Sequence, residues 1–384
     1  MTEDRLSEHL QDRPASLLAA KERGRKVVGY FPGGYVPEEI IYAAGAVPVC
    51  LCQGGSYRAA EAALSTVPGV ICPFARAQIG EMATRANLYY GLVDLMVAPI
   101  TCQHLKEVAE TWEYRGEVEM LKLGIPHQRG ELEREYFTGR LRSLGERLGR
   151  LTGKAITGER LEEAIALYDR MNLLVAEIGL MRRDPLSPLT TKDFVALNHA
   201  SFYADPGFMV EELERIREEL RTGPSIEPSG RPRFLLAGPS LVPGDTTILD
   251  LVDAAGGDVV VEEFFEGMRS CRQPAARVGD PFSRLARSYL QGRLPPAFMR
   301  SSTGQRLDFI LKLVEDFNIS GVIWYELLCC ETYDQESYFL FRKLSEKGIP
   351  MLIVESDYSP LDTGALRTRL GAFVELAQGG PVNG

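Results

Sequence analysis

The chain has 384 residues, 45% of them hydrophobic and 25% charged, with a net charge of −10. This is an ordinary globular composition, with material for two or three domains of roughly 100–200 residues each. The acidic balance argues against nucleic acid or an anionic membrane surface as the main partner, because both call for a basic face. No run of about 20 apolar residues exists for a spanning helix; the most apolar stretch, Leu88–Ile100, is interrupted by Asp94. Met1–Asp12 is polar and charged rather than apolar, unlike a secretory signal. A cytoplasmic chain is the expectation.

In chain order, Val27–Phe31 reads as a short strand ended by Pro32-Gly33-Gly34. Pro37-Glu38-Glu39 opens a helix through Ala44, with proline in the first turn and acids at its positive end. Val47–Leu51, Val67–Cys72, Leu95–Ile100 and Val118–Leu123 read as further strands. From Glu131 to Thr222 the chain is rich in Leu, Glu and Arg. There Leu161, Ile165, Tyr168, Met171, Val175 and Ile178 recur at helical spacing, which predicts core-facing helices. Pro224–Pro232 is a linker by composition.

Strands then return at Phe234–Ala237, Val259–Glu262, Gly321–Tyr325 and Met351–Val354. Helices separate them over Thr246–Ala255, Phe282–Gln291, Gln305–Phe317, Asp334–Lys347 and Ala365–Ala377. Ser302-x-x-Gln305 has the form of a capping box. The pattern predicts an N-terminal helical arm over 1–22, an α/β lobe over 23–129, a helical bridge and linker over 130–230, and a second α/β lobe over 231–384. The expected fold class is α/β: two Rossmann-like lobes with parallel sheets, joined by a helical segment.

Seven cysteines are present: Cys50, Cys52, Cys72, Cys102, Cys271, Cys329 and Cys330. An odd number in such a chain does not read as a disulfide framework, and no CxxC gives zinc-ribbon or ferredoxin spacing. Buried inert thiols are one reading. Position gives another: Cys72, Cys102 and the Cys329-Cys330 pair fall at predicted strand-to-helix junctions. There a helix N-terminus favours a thiolate, and parallel sheets bind ligands beyond their strand ends. Cys50 and Cys52 share one face of a strand. Cys50 is read as core, Cys52 as near the site without being a ligand, and Cys271 as a spectator.

Residue context adds to position. The blocks Gly29-Tyr30-Phe31-Pro32, Pro37-Glu38-Glu39, Ala43-Ala44-Gly45-Ala46-Val47-Pro48, Cys72-Pro73-Phe74-Ala75-Arg76 and Thr101-Cys102-Gln103-His104-Leu105-Lys106 come first. Gly348-Ile349-Pro350, Glu355-Ser356-Asp357-Tyr358 and Thr368-Arg369-Leu370-Gly371-Ala372-Phe373 follow. In this order they resemble the family that joins benzoyl-CoA reductase subunits with 2-hydroxyacyl-CoA dehydratase subunits, over nearly the whole chain.

The resemblance implies one [4Fe–4S] cluster between two lobes, with ligands carried onto Cys72, Cys102 and Cys330. Cys330 is preferred to Cys329 because Cys330-Glu331-Thr332-Tyr333 looks like the family's Cys-His-Thr-Tyr, from which Glu331 departs. Relatives with a double-cubane cluster carry six ligands. Cys52 matches one of the further three, but Phe265 and Pro296 stand at the other two, so six ligands are not expected. The family's usual Gln near the C-terminal Thr-Arg block is Ala365 here. Three cysteines on four irons leave one iron open to water, substrate or another residue, the feature that separates a catalytic metal from a closed structural one.

Among neighbouring residues, His104 reads as a proton relay or as a solvent-facing first-turn histidine. Arg76 reads as a counter-charge to a cluster or substrate phosphate, or as half of a surface ion pair. Glu39 reads as an acid/base or as a helix N-terminal charge. His127 and His199 carry no motif. The resemblance further implies an acyl-CoA substrate, a homologous partner subunit and a separate ATP-dependent activator. The absence of GxxxxGK[ST] and GxGxxG agrees with that division of labour. The expected function is a benzoyl-CoA-reductase-like subunit, with a dehydratase subunit or a non-catalytic electron relay as the rivals. The acyl group and the partner's identity are not legible.

Overall fold

The computed structural model describes residues 3–116, 118–268, 274–275, 278–299, 302–360 and 363–379. Cys271 lies outside them. Two four-stranded parallel sheets organise the chain. The first contains β1 (Val27–Tyr30), β2 (Val47–Cys50), β3 (Leu95–Ile100) and β4 (Glu119–Gly124), in the order β2-β1-β3-β4. The second contains β5 (Arg233–Ala237), β6 (Asp258–Glu263), β7 (Gly321–Leu327) and β8 (Met351–Ser356), in the order β6-β5-β7-β8. The two orders are the same. Each central pair, β1/β3 and β5/β7, is a switch point where the chain reverses its direction of travel across the sheet, opening a crevice at the strands' carboxyl ends.

The central strands are apolar for nearly their whole length because helices cover both faces of a parallel sheet. Every residue of β1 and of β7 is buried. The first sheet is flanked by α2 (Glu38–Ala43), α3 (Tyr57–Ala62), α4 (Pro73–Thr84) and α5 (Gln103–Arg115). The second carries α10 (Thr247–Ala254), α11 (Pro281–Leu290), α12 (Thr303–Asp316), α13 (Glu331–Ser345) and α14 (Thr363–Gln378). The N-terminal arm is α1 (Glu3–Glu22), and the bridge is α6 (Glu131–Thr152), α7 (Gly158–Met181), α8 (Thr191–Ala200) and α9 (Pro206–Thr222). The predicted stripe of α7 is core: Leu161, Ile165, Tyr168, Met171, Val175 and Ile178 are all buried. No helix among the described residues is long and apolar enough to cross a membrane.

Two local expectations are corrected. Val67–Cys72 is not a strand. Pro68-Gly69 turns the chain there, with Ile71 N–H bonded back to Pro68 O, and Val70 is 71% exposed, so the segment has no face to bury. Ser302 and Gln305 form no capping box. Ser302 already has helical dihedrals and makes no side-chain cap, while Gln305 Oε1 accepts from Arg129 at 2.6 Å. A capping box forms instead at Thr190 and Asp193.

The lobes meet backbone to backbone. Gly54 N–H donates to Pro243 O at 2.8 Å. Gly55, at φ +68°, stands so close that a Cβ would lie 1.9 Å from Gly244 O, so only glycine fits both the conformation and the contact.

Candidate functional site

The carboxyl ends of the two switch points face one another across a cavity of about 130 Å³. Pro32-Gly33 after β1, Thr101-Cys102 after β3, Pro239-Ser240 after β5 and Cys330 after β7 all line it. Cys72 and His104 line it too. The three predicted cysteines thus share one cavity, although only two reach it from strand ends. Cys72 arrives from the turn that replaces the predicted strand.

Each of these cysteines is the N-cap of a helix: Cys72 of α4, Cys102 of α5 and Cys330 of α13. A helix start leaves N–H groups without intrahelical partners and carries about half a positive charge. Leu105 N–H points at Cys102 Sγ at 3.4 Å. The amides of Phe74 and Ala75 act on the Cys72 thiol, and that of Tyr333 on Cys330. Three helix dipoles therefore converge where anionic sulfur would be stabilised, and among the described residues no lysine or arginine lines the space.

Without metal the thiols hold their protons. Burial pushes Cys72 up to about 12, with Cys102 adding to it. Burial raises Cys330 well above its ordinary value, with Cys72, Cys102 and Glu326 contributing. Cys102 is the exposed member of the set, yet the protein mass around its sulfur still raises it. Cys329 does not line the cavity. It holds the left-handed conformation at φ +64°, a turn that places Cys330 rather than its neighbour on the wall.

The donor set suits a cluster better than a single ion. Among the described residues no three Cys, His, Asp or Glu side chains stand together as a site for one metal ion. In a cubane each cysteine holds a different iron, so the sulfurs stand roughly 6–7 Å apart. Three sulfur donors at helix starts in a largely apolar surround supply the ligand chemistry that such a cluster takes.

His104 joins the cavity as expected. Its Nδ1 accepts the Cys72 N–H at 3.4 Å, which places the ring proton on Nε2. Burial lowers its pKa against the opposing pull of Glu331 and Glu107. Arg76 is neither on the cavity wall nor in a surface ion pair: it is buried, and its Nε donates to Ile71 O at 3.1 Å, tying down the turn before Cys72. Glu39 is likewise away from the wall, fully buried and accepting from Tyr289 OH at 2.7 Å. Its neighbour Glu38 lines a smaller second cavity, of about 80 Å³, which shares Pro32, Gly33 and Phe265 with the first. Cys50 lines that second cavity, and Cys52 packs beside Tyr203 OH at 3.5 Å.

Sequence reading missed two acids. Glu266 lines the cysteine cavity, accepting from Ser240 OH at 2.8 Å and from Leu241 N–H at 3.0 Å. Glu326, at the end of β7, accepts from Trp324 Nε1 at 2.7 Å, and burial pushes it up to about 7, aided by Asp334 and Glu355. The strand-end rule, extended from cysteines to other residue types, would have found Ser240 and Glu326. Nothing local pointed to Glu266.

The chain is thus a two-lobed α/β protein whose facing switch points enclose three helix-capping cysteines. The family model described as 2-hydroxyglutaryl-CoA dehydratase, D-component, matches residues 34–376; the chain belongs to that family. It is 29% identical over 381 residues, 97% of each chain, to the protein named "Putative dehydratase subunit YjiM" of Escherichia coli (strain K12). It is 21% identical to the (R)-phenyllactyl-CoA dehydratase beta subunit of Clostridium sporogenes, over 92% of each chain. It is 23% identical to a benzoyl-CoA reductase subunit of Thauera aromatica, over 96% of this chain and 95% of the other.

Proposed function

We propose that this chain is the cluster-bearing subunit of an acyl-CoA dehydratase, holding a [4Fe–4S] cluster on Cys72, Cys102 and Cys330. The observation that carries the reading is the meeting of three cysteine N-caps from both lobes at facing switch points. When bound, such a cluster supplies single electrons and an open, Lewis-acidic iron to the thioester or to a hydroxyl beside it. The protein excludes water with the apolar walls of Phe74, Phe265 and Phe298. Neutral His104 offers its Nε2 proton to a leaving hydroxyl or a developing oxyanion. Glu266 and Ser240 orient the substrate from the opposite lobe, while Arg76 acts as a positioning residue for Cys72.

A reductase of the benzoyl-CoA type is the second reading. The blocks Cys72-Pro73-Phe74-Ala75-Arg76 and Thr101-Cys102-Gln103-His104 favour it, and one relative carries that name. Either reading needs a partner. Three relatives are named as beta subunits of acyl-CoA dehydratases, and this chain would pair with a homologous subunit in the cytoplasm. The apolar stripe of α7 is spent on the internal core, so that interface lies on other surfaces. A separate ATP-hydrolysing activator would deliver the electron.

The test is anaerobic reconstitution with iron and sulfide, counted per chain and followed by electron paramagnetic resonance. Turnover of 2-hydroxyacyl-CoA and of benzoyl-CoA is then measured with partner and activator present. About four irons per chain with water elimination from the hydroxyacyl thioester is the expected result. A chain that takes up no iron would sink the reading; reduction of benzoyl-CoA alone would replace it with the second.

A further inference from the structure

At the opposite edge of the first sheet lies a larger cleft, of about 680 Å³. Lys26 immediately precedes β1, and Gly45 lies two residues before β2. The cleft therefore opens beyond the amino ends of the strands, whereas the cysteine cavity lies beyond their carboxyl ends. It is walled by the ends of α1, α2 and α6 and the start of α7, and it presents Arg23, Arg25, Lys26, Lys154 and Arg160 against one carboxylate, Glu163. In a chain of net charge −10 this concentration of cations is out of keeping with the whole.

Four of these five cations are also without an ion-pair partner among the described residues. Lys26 has Asp94 at 4.0 Å. Among the described residues, Arg23, Arg25, Lys154 and Arg160 have no carboxylate in ion-pair contact. Four of the six other arginines on α6 and α7 are paired, Arg134 with Glu131, Arg142 with Asp280, Arg147 with Glu119 and Arg170 with Glu214, while Arg140 donates to a backbone carbonyl and Arg150 is in no ion pair among the described residues. The carboxyl ends of α1, α2 and α6 offset part of the charge. A helix end carries only about half a negative charge, so three leave the cleft clearly positive.

Gly45 forms its floor at φ +81°. A Cβ there would lie 3.2 Å from Arg160 Nη2 and 3.4 Å from Lys154 Cδ. The bare backbone lets two cationic side chains lie together over one spot, an arrangement that is repulsive until an anion sits between them. The volume falls within the roughly 300–1,000 Å³ of small-molecule sites, and the shape is concave rather than a flat docking face.

We infer that this cleft binds a small anion carrying two or more phosphate groups, held by Arg23, Arg25, Lys154 and Arg160. Such a group belongs to a free nucleotide or to the phosphorylated end of coenzyme A. This inference is independent of the cluster and can be tested on metal-free protein.

Full-length chain is titrated calorimetrically with inorganic pyrophosphate, ADP and coenzyme A, at low and high salt. Saturable binding of pyrophosphate that weakens with salt is expected. The double variant Lys154→Ala/Arg160→Ala should weaken it by at least about tenfold, the scale of one lost charge-assisted contact. Arg25→Glu should abolish it. Tighter binding of ADP than of coenzyme A identifies the nucleotide as the source; the reverse identifies the coenzyme. All three cations are partly or fully exposed, and circular dichroism checks that each variant folds. Absence of binding by the native chain, or equal binding by the folded variants, overturns the inference.

Discussion

The amide of Cys72 donates to Nδ1 of His104 across 3.4 Å. One imidazole thereby links the N-cap of α4 to the first turn of α5, whose own N-cap is Cys102. The contact does two things at once. It fixes the spacing of two cysteines from different segments, and it commits the ring proton to Nε2, the nitrogen left for the cavity.

Replacing His104 separates these roles. An asparagine side chain keeps an acceptor near the Nδ1 position and loses the proton, so His104→Asn should retain iron and lose turnover by about 10²–10⁴-fold, the usual worth of a general acid. His104→Ala should also lower iron retention, because the Cys72 amide loses its partner. Iron content beside activity checks both. Full turnover in the iron-loaded asparagine variant would remove His104 from the chemistry.

The adjacent cysteines should behave oppositely. Cys330→Ala is expected to lose the cluster, since its side chain is on the cavity wall. Cys329→Gly should keep it and gain up to about 1 kcal/mol in stability, because glycine relieves a left-handed residue at φ +64°. Iron and sulfide counting with thermal melting reads both outcomes. Loss of iron in the glycine variant would make Cys329 the ligand.

Asp245 predicts a pH dependence. It is buried, accepts from Tyr325 OH at 2.7 Å, and is pushed up to about 7 by burial, with Glu266 adding and Tyr325 opposing. Between about pH 4, its unfolded value, and pH 7 the folded chain holds a proton that the unfolded chain has released. Its contribution to stability is complete below that window and is lost as pH rises through 7. Asp245→Asn stays neutral throughout. Its stability relative to the native chain should therefore rise between pH 5 and pH 8, by on the order of 2 kcal/mol. His199, lowered to about 4 by burial, pulls the other way in acid but does so in both proteins and cancels. Urea melts at the two pH values check the sign; a difference independent of pH would refute it.

Arg306 is fully buried between Glu263 at 3.0 Å and Glu336 at 2.8 Å, under the rings of Trp324 and Tyr333. Removing the cation leaves two buried carboxylates facing each other. Arg306→Ala should cost about 3–5 kcal/mol and disturb Tyr333 on the cavity wall. The triple change Arg306→Met/Glu263→Gln/Glu336→Gln should recover much of that loss. Chemical denaturation of the three proteins decides, and equal stability of all would mean the network is inert.

The sequence by itself determined the alternation of elements and hence the two parallel-sheet lobes, because strands such as Val27–Tyr30 and Gly321–Leu327 are apolar for nearly their whole length and helices follow them at turn residues. It also determined the chemistry on offer, since Cys102 and Cys330 stand where helices begin. Tertiary structure decided what meets. The turn at Pro68-Gly69 is local, yet the delivery of Cys72 to the other two cysteines depends on how α4 packs, which no short window encodes. Glu266 reached the cavity through bonds to Ser240 and Leu241 from another crossover, while Glu39, one residue from cavity-lining Glu38, turned inward to Tyr289. A helix presents adjacent residues about 100° apart, so one step in sequence separates a wall residue from a core one. The basic cleft was only half visible in the sequence: Arg23, Arg25 and Lys26 form a short basic run, but Lys154 and Arg160 lie far along the chain, and only the folding of α1, α6 and α7 around β1 brings the two groups together.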